Sequence, residues 1–242
     1  MKKPQFVPGH IYHIYHRGIE ERKIFNEKTD YFRFVHDLFE FNDMKPAANI
    51  YYKLPYLKFY KVEPRKNRKL IVEILAFCLM PNHFHLMIRE IRKNGIVKFM
   101  QKLNTGYTMY FNKKYQRAGP LLQGRFKAIL IERENHFIHL PFYIHFNPLD
   151  LIEPEWRLGK ITNFHKAMNF LDSYRWSSYL DYFGKKNFPS LTQREFLNRI
   201  FEGMENYKKL TENWLKQMDQ LKWKELKGIT LEQSYEVQPR KL

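Results

Sequence analysis

Short apolar runs, rich in β-branched and aromatic residues and bounded by turn residues, recur four times in the first 131 residues. Such runs predict β-strands. The four predicted strands cover residues 11–17, 71–80, 83–88 and 125–131. The second and third are separated only by the turn signal Pro81-Asn82, so we expect them to pair as a hairpin at the centre of a sheet.

Longer stretches place apolar residues three or four positions apart, which is the spacing of one face of an α-helix. The helices predicted in this way cover about residues 28–40, 95–115, 135–146, 192–202 and 204–221. Up to residue 131 the elements follow the order β-α-β-β-α-β. This order predicts an α+β domain of the ferredoxin-like type, with helices packed on an antiparallel sheet.

The length of 242 residues suits one domain with a helical extension. We expect a sheet domain over residues 1–172 and a C-terminal extension over 173–242, mostly helical and ending in a polar tail. Residues 42–70 fit neither pattern, and they contain three prolines and a basic run. They could form an extended hairpin that reaches nucleic acid, or a solvated loop, which the charge run alone favours.

The composition predicts a folded and strongly basic protein. Hydrophobic residues make up 44% of the chain, and 42 Lys and Arg against 25 Asp and Glu give a formal net charge of +17. Neutralisation of phosphates by Lys and Arg is the main source of affinity for nucleic acids, so we expect a polyanionic partner. A membrane partner is disfavoured, because no run of about 18 apolar residues is present.

Two further features favour a reducing cytoplasm. The N-terminal residues lack the apolar run of a signal peptide. The single cysteine, Cys78, cannot form an internal disulfide and lies in an apolar run, which predicts a buried thiol.

Candidate chemistry begins with two histidines in the third predicted strand. Side chains alternate between the faces of a strand, so His83 and His85 should project from one face while Phe84 points to the other. Two imidazoles side by side can fill two coordination positions of a divalent metal ion. An exposed or core-satisfied pair is the commoner outcome for so short a motif. For His13 in the first strand, an exposed position is likewise favoured over approach to a metal.

A second candidate cluster lies in the helix predicted after the fourth strand. Tyr143 and Asn147 are four residues apart, the spacing that places two side chains on one helical face. Pro148 disfavours helical geometry at Asn147, and Pro141 should kink the helix. His145 should lie on a different face from Tyr143, which indicates a phosphate contact or a packing role rather than a catalytic base.

Basic residues near the ends of the predicted elements, with aromatic residues interleaved, are candidate contacts to nucleic acid. Two members of this group lie in the aromatic-polar stretch 174–179, where base stacking and anchoring of the C-terminal segment by a buried Trp176 are alternatives, with anchoring slightly favoured. The candidate DNA-binding residues are Arg17, Lys113, Lys114, Arg117, Arg125, Lys127, Arg175 and Trp176.

Four blocks of residues, taken together and in order, resemble REP-associated tyrosine transposases, which belong to the single-tyrosine HUH endonucleases. The blocks are Met80-Pro81-Asn82-His83-Phe84-His85, Gly124-Arg125-Phe126, Tyr143-Ile144-His145-Phe146-Asn147-Pro148 and Trp176-Ser177-Ser178-Tyr179. The resemblance spans about residues 8–205. It implies the HUH endonuclease fold and an enzyme that cleaves and rejoins single-stranded DNA, often beside a hairpin, through a 5′-phosphotyrosine intermediate.

The resemblance also implies a role for each residue of the two clusters. His83 and His85 match the histidine pair that ligates the metal, Mg²⁺ or Mn²⁺. Tyr143 matches the nucleophile and Asn147 matches the third metal ligand. A monomer is favoured, with a homodimer as the alternative. Two other functions stay open: a non-catalytic nucleic-acid-binding protein derived from a transposase and, less favoured, a zinc-dependent hydrolase, which would need three strong ligands.

Overall fold

The structure, a computed structural model, describes residues 4–45 and 68–217. In these residues the chain forms a four-stranded antiparallel sheet with the strand order β2-β3-β1-β4. The strands are β1 (Ile11–Arg17), β2 (Val72–Met80), β3 (His83–Glu90) and β4 (Lys127–Leu130). Most of the segment 42–70 and the expected polar tail lie outside the described residues.

Seven α-helices accompany the sheet in the described part of the chain. They are α1 (Lys28–Glu40), α2 (Gly95–Lys114), α3 (Glu134–Phe146), α4 (Phe164–Ser173), α5 (Tyr179–Tyr182), α6 (Arg194–Ile200) and α7 (Met204–Lys216). The predicted α+β class and the order β-α-β-β-α-β are confirmed, whereas α4 and α5 were not predicted. In the two described ranges, none of these helices combines the length and the apolar character that a membrane crossing needs.

The hairpin of β2 and β3 forms as predicted, but its predicted place at the centre of the sheet is wrong for β2. The inner side of β3 pairs with β1, which leaves β2 as an edge strand of the sheet. The C-terminal segment covers part of this edge, because Leu79 N donates to Trp176 O at 2.8 Å and Ser178 N donates to Phe77 O at 3.0 Å.

Alternation along β3 separates two hydrophobic clusters, one on each face of the sheet. Phe84 and Leu86 pack on one face in a cluster with residues of α1 and α2. Met87 packs on the other face with residues of α3 and of the C-terminal helices. Both faces are therefore covered by helices, and the predicted alternation in this strand is confirmed.

Residues of the predicted C-terminal extension belong to the same cluster as α3. Tyr179, Tyr207 and Trp214 are buried there, and Gln193 N donates to Ile74 O of β2 at 2.9 Å. A boundary at residue 172 would thus separate two segments that share one core. The division into a sheet domain and an extension stays a prediction.

A buried carboxylate joins the N-terminus of α1 to the C-terminus of α2. Asp30 accepts hydrogen bonds from Lys114 Nζ at 2.6 Å, Tyr115 OH at 2.7 Å and Tyr110 OH at 3.0 Å. Burial alone would raise the pKa of Asp30, but the hydrogen bonds from Lys114, Tyr115 and the backbone outweigh burial and lower it. Lys114, a candidate DNA contact, is placed in this network, where it also pairs with Glu27.

Candidate active site

The α3 side of the sheet carries the two histidines that the sequence singled out. His83 and His85 both project to this side, and their ring centroids are 5.0 Å apart. The strand register pairs His85 with Tyr15 of β1, and the Tyr15 ring lies 5.0 Å from His85 and 5.4 Å from His83. The pair is buried in the described structure, so it is not the exposed pair that a lone motif would suggest.

Helix α3 brings Tyr143 to this histidine pair. The ring centroids of Tyr143 and His85 are 5.6 Å apart, and the planes are nearly perpendicular at 89°. The interior Pro141 does not interrupt the helix, which continues to Phe146. The side chain of Tyr143 is 0% exposed. Two residues separated by 58 positions in the chain are thus brought together in the fold.

His13 occupies a different position from the one expected. An exposed position on β1 was favoured, but its side chain is 0% exposed, because β1 is a central strand with helices over both faces. The His13 ring lies 5.7 Å from the Tyr143 ring, and its Nε2 is 2.9 Å from His85 Nδ1. Local sequence carries no signal for this contact, which depends on the pairing of β1 with β3.

Asn147 follows directly after α3, as predicted, but the expected departure from helical geometry is wrong. Its backbone is right-handed helical, with φ −49° and ψ −36°, because a 3-10 turn, Asn147–Leu151, continues the chain from this residue. Its amide nitrogen donates to Tyr143 O at 2.8 Å, and its amide oxygen accepts from Arg157 Nη2 at 2.9 Å. Both contacts are buried. The structure therefore places the oxygen that was expected to ligate a metal against a guanidinium group.

Arg157 is a residue of this site that sequence analysis missed. It lies in a 3-10 turn, Trp156–Leu158, and forms an ion pair with Asp150. Its guanidinium carbon lies 5.7 Å from the centroid of the Tyr143 ring. No periodic pattern marks this turn, so only the tertiary structure brings a buried cation next to Tyr143 and Asn147.

The donor chemistry of the histidine pair fits a divalent metal ion. His83 Nδ1 lies 2.7 Å from Asn82 Oδ1, and a carbonyl oxygen can only accept, so the ring donates through Nδ1 and its lone pair is on Nε2. Metal-ligating histidines commonly bond their second nitrogen in this way. No group of three His, Cys, Asp or Glu side chains that could hold a metal occurs within residues 4–45 and 68–217.

Three candidate DNA-binding residues converge on one open pocket of about 270 Å³. Arg17, Arg125 and Lys127 line it together with Tyr15. Because the Tyr15 ring also contacts His83 and His85, the basic pocket borders the histidine pair. The sugar-phosphate backbone of one nucleic-acid strand could therefore contact the basic pocket and the histidine pair at the same time.

The other candidate DNA contacts lie elsewhere. Lys113 is exposed at the end of α2, and Arg117 donates to Pro120 O at 3.1 Å. At the opposite edge of the sheet, Trp176 is half-buried and stacks on Tyr31 of α1 at 4.5 Å, which favours the anchoring role. Arg175 is exposed beside it.

His145 is a packing residue in this structure. Its Nδ1 lies 2.8 Å from Tyr207 OH and its Nε2 lies 2.7 Å from Ser178 Oγ. Ser178 Oγ in turn accepts from Phe77 N of β2 at 2.9 Å. Burial lowers the pKa of His145 to about 3. The ring joins α3 to the C-terminal segment and to the sheet.

We expect His145 to make folding stability depend on pH. The unfolded histidine binds a proton below about pH 6.5, whereas the folded residue stays neutral down to a pKa of about 3. Stability should therefore fall as the pH falls, by about 2 kcal/mol between pH 7 and pH 5 from this residue. Urea unfolding at both pH values should show a smaller pH effect for His145→Gln than for the unsubstituted protein. Equal pH effects would contradict the assignment.

The fold and the site define a class: an α+β protein whose antiparallel sheet presents a histidine pair to a helical tyrosine, beside a basic pocket. Residues 56–146 match the family model described as "Transposase IS200 like". The segment contains His83, His85 and Tyr143, and Asn147 follows it directly. The resemblance inferred from the sequence blocks is confirmed over this segment.

A search of curated proteins finds no match. Among solved structures, a REP-associated tyrosine transposase bound to a REP hairpin is similar to this chain, with 13% sequence identity and a TM-score of 0.47. The similarity covers 78% of this chain and 88% of that chain.

Proposed function

We propose that the protein is a metal-dependent transposase-type endonuclease that cleaves and rejoins single-stranded DNA near hairpins, with Tyr143 as its nucleophile. The observation that carries the proposal is the contact between Tyr143 and His85, whose ring centroids are 5.6 Å apart. It places the candidate nucleophile beside the candidate metal pair. The match of residues 56–146 to the transposase family model supports the same class.

In the proposed reaction the phenolic oxygen of Tyr143 attacks a DNA phosphorus atom. The new bond joins tyrosine to phosphate, and the bond from phosphorus to the leaving DNA oxygen breaks. The phenol loses its proton to solvent or a base, and the leaving strand keeps a hydroxyl group. Attack of a DNA hydroxyl on the phosphotyrosine reverses these steps, so the energy of the ester is retained for joining. The 5′ polarity of the linkage is the one that the family resemblance implies.

His83 and His85 would hold the divalent ion, Mg²⁺ or Mn²⁺. Bound there, the ion would supply positive charge to a non-bridging phosphate oxygen. The protein side chains would hold the phosphate in place and exclude water from the buried tyrosine. For Asn147 to act as third ligand, its amide oxygen would have to give up its hydrogen bond from Arg157 or accept it while also binding the metal ion.

DNA is proposed to enter along the basic pocket. Arg17, Arg125 and Lys127 supply charges that neutralise phosphates. The pocket borders the histidine pair through Tyr15, so a strand held there would pass the candidate metal pair. We propose that the protein acts in the cytoplasm as a monomer.

Replacing Arg125 or Lys127 with Ala should weaken binding to single-stranded hairpin DNA. Each substitution should lower the slope of log affinity against log salt by about 0.7, because one fewer phosphate is neutralised. Fluorescence anisotropy across a salt series measures this slope. The control is Lys185→Ala, which removes an exposed lysine paired with Asp172 away from the pocket. An equal loss in the control would show that general charge, not the pocket, determines affinity.

The proposed function is tested by incubating the protein with end-labelled hairpin oligonucleotides and Mn²⁺, followed by denaturing electrophoresis. We expect a slowly migrating protein–DNA band that disappears when the ion is removed with EDTA. Tight DNA binding without such a band, across a library of varied hairpins, would overturn the proposal.

The second candidate function is non-catalytic binding of nucleic acid by a protein derived from a transposase. Two observations favour it: Tyr143 is fully buried, and the Asn147 oxygen is held by Arg157. Under this alternative the hairpin binds at the basic pocket. Neither removal of Mn²⁺ nor replacement of Tyr143 changes the bands seen after denaturing electrophoresis, because no covalent adduct forms.

A further inference from the structure

His13 has no part in the steps above, yet it contacts one of the two histidines of the candidate metal pair. Its Nε2 lies 2.9 Å from His85 Nδ1, and the two ring planes are nearly parallel, with centroids 5.1 Å apart and an interplanar angle of 22°. In the sheet, His13 pairs with Met87 and His85 pairs with Tyr15. The two histidines are therefore diagonal neighbours on one face of adjacent central strands, which holds the contact in place.

We propose that His13 is a positioning residue that sets the tautomer of His85 and so prepares it to bind a metal ion. A neutral imidazole has one N–H group and one lone pair, so one ring of the pair must donate to the other. If His85 donates through Nδ1, its lone pair is on Nε2. If His13 donates instead, the proton of His85 is on Nε2 and this nitrogen cannot ligate. Metal binding therefore requires His13 to accept.

The neighbouring ligand supports this direction. His83 donates through Nδ1 to Asn82 Oδ1, at 2.7 Å, and keeps its lone pair on Nε2. With His13 as the acceptor for His85, His83 and His85 would both present Nε2 to the metal ion. Each ligand would then have its own fixed partner, Asn82 for one and His13 for the other. Loss of such a partner typically lowers metal affinity about 10–100-fold.

This inference rests on the proposed function, because it assumes that the histidine pair binds a metal. The test is calorimetric titration of the full chain with Mn²⁺. We expect His13→Leu to bind Mn²⁺ about 10–100-fold more weakly than the unsubstituted protein. His13→Gln should recover part of the affinity, because its amide oxygen can accept from His85 Nδ1. The matched control is His36→Leu, which removes a histidine of α1 on the other side of the sheet.

A second measurement does not need the metal or a variant. Nitrogen-15 NMR of the metal-free protein should show His85 as the Nδ1–H tautomer. An Nε2–H tautomer, or unchanged Mn²⁺ affinity in a folded His13→Leu, would overturn the inference and leave the proposed function standing. Failure of the unsubstituted protein to bind Mn²⁺ would instead overturn metal dependence, and the role of His13 with it.

Discussion

Replacing Tyr143 with Phe should reduce the covalent protein–DNA adduct at least about 10³-fold, because the substitution removes the attacking oxygen. The phenylalanine ring keeps the edge-to-face packing against His13 and His85, so the fold should be retained. Affinity for hairpin DNA should change less than about twofold, since the phosphate contacts are unaltered. Denaturing electrophoresis measures the adduct, and anisotropy measures the affinity.

The matched control for this substitution is Tyr179→Phe. Tyr179 is a fully buried tyrosine of α5 in the same hydrophobic cluster, so the control removes a phenolic oxygen without touching the histidine pair. It should form the adduct at the normal level. If Tyr143→Phe still forms the adduct, another residue is the nucleophile and the assignment is wrong.

Replacing Asp30 with Asn should lower the free energy of unfolding by about 1–3 kcal/mol, the usual cost of leaving buried hydrogen-bonding groups without their partner. The carboxylate accepts from Lys114, two tyrosines and the backbone N–H groups of Asn26 and Glu27. In Asp30→Asn the amide nitrogen is itself a hydrogen-bond donor, and it would face groups that also donate. The positive charge of Lys114 would lose its main partner. Urea unfolding at pH 7 measures the change.

The comparison for Asp30 is Asp172→Asn. Asp172 pairs with Lys185 at 2.9 Å, and both side chains are largely exposed. Exposed pairs contribute at most about 1 kcal/mol, because water screens the charges. Similar losses for the two substitutions would show that the Asp30 network does not join α1 to α2 as described.

Asp30 and His145 should both make the protein less stable as the pH falls, but for opposite reasons. The fold favours the charged form of Asp30 and the neutral form of His145. Because the pKa of Asp30 is lowered in the fold, its contribution is present above the unfolded pKa and is lost as the pH falls through the folded value. His145 loses its contribution earlier, below about pH 6.5. Stability should therefore decline in two stages on acidification.

The sequence by itself determined the elements and the local geometry within them. The bounds of β1 and α1 agree with those predicted, since strand and helix periods are local properties. The common face of His83 and His85 also follows from residues two apart in one strand. The spacing of Tyr143 and Asn147 predicted that their side chains share one helical face, and this stays a prediction. The hydrogen bond between the two residues joins the Asn147 amide to the backbone oxygen of Tyr143.

Only the tertiary structure decided which distant residues meet. His13 is buried against His85 because β1 pairs with β3, and Arg157 reaches Asn147 from an irregular turn. Lys114 is a candidate DNA contact in the sequence, and only the fold places it against the buried Asp30. These contacts join residues that are far apart in the chain or lie in turns without a period. They depend on strand register and helix packing, which residue spacing within one element does not specify.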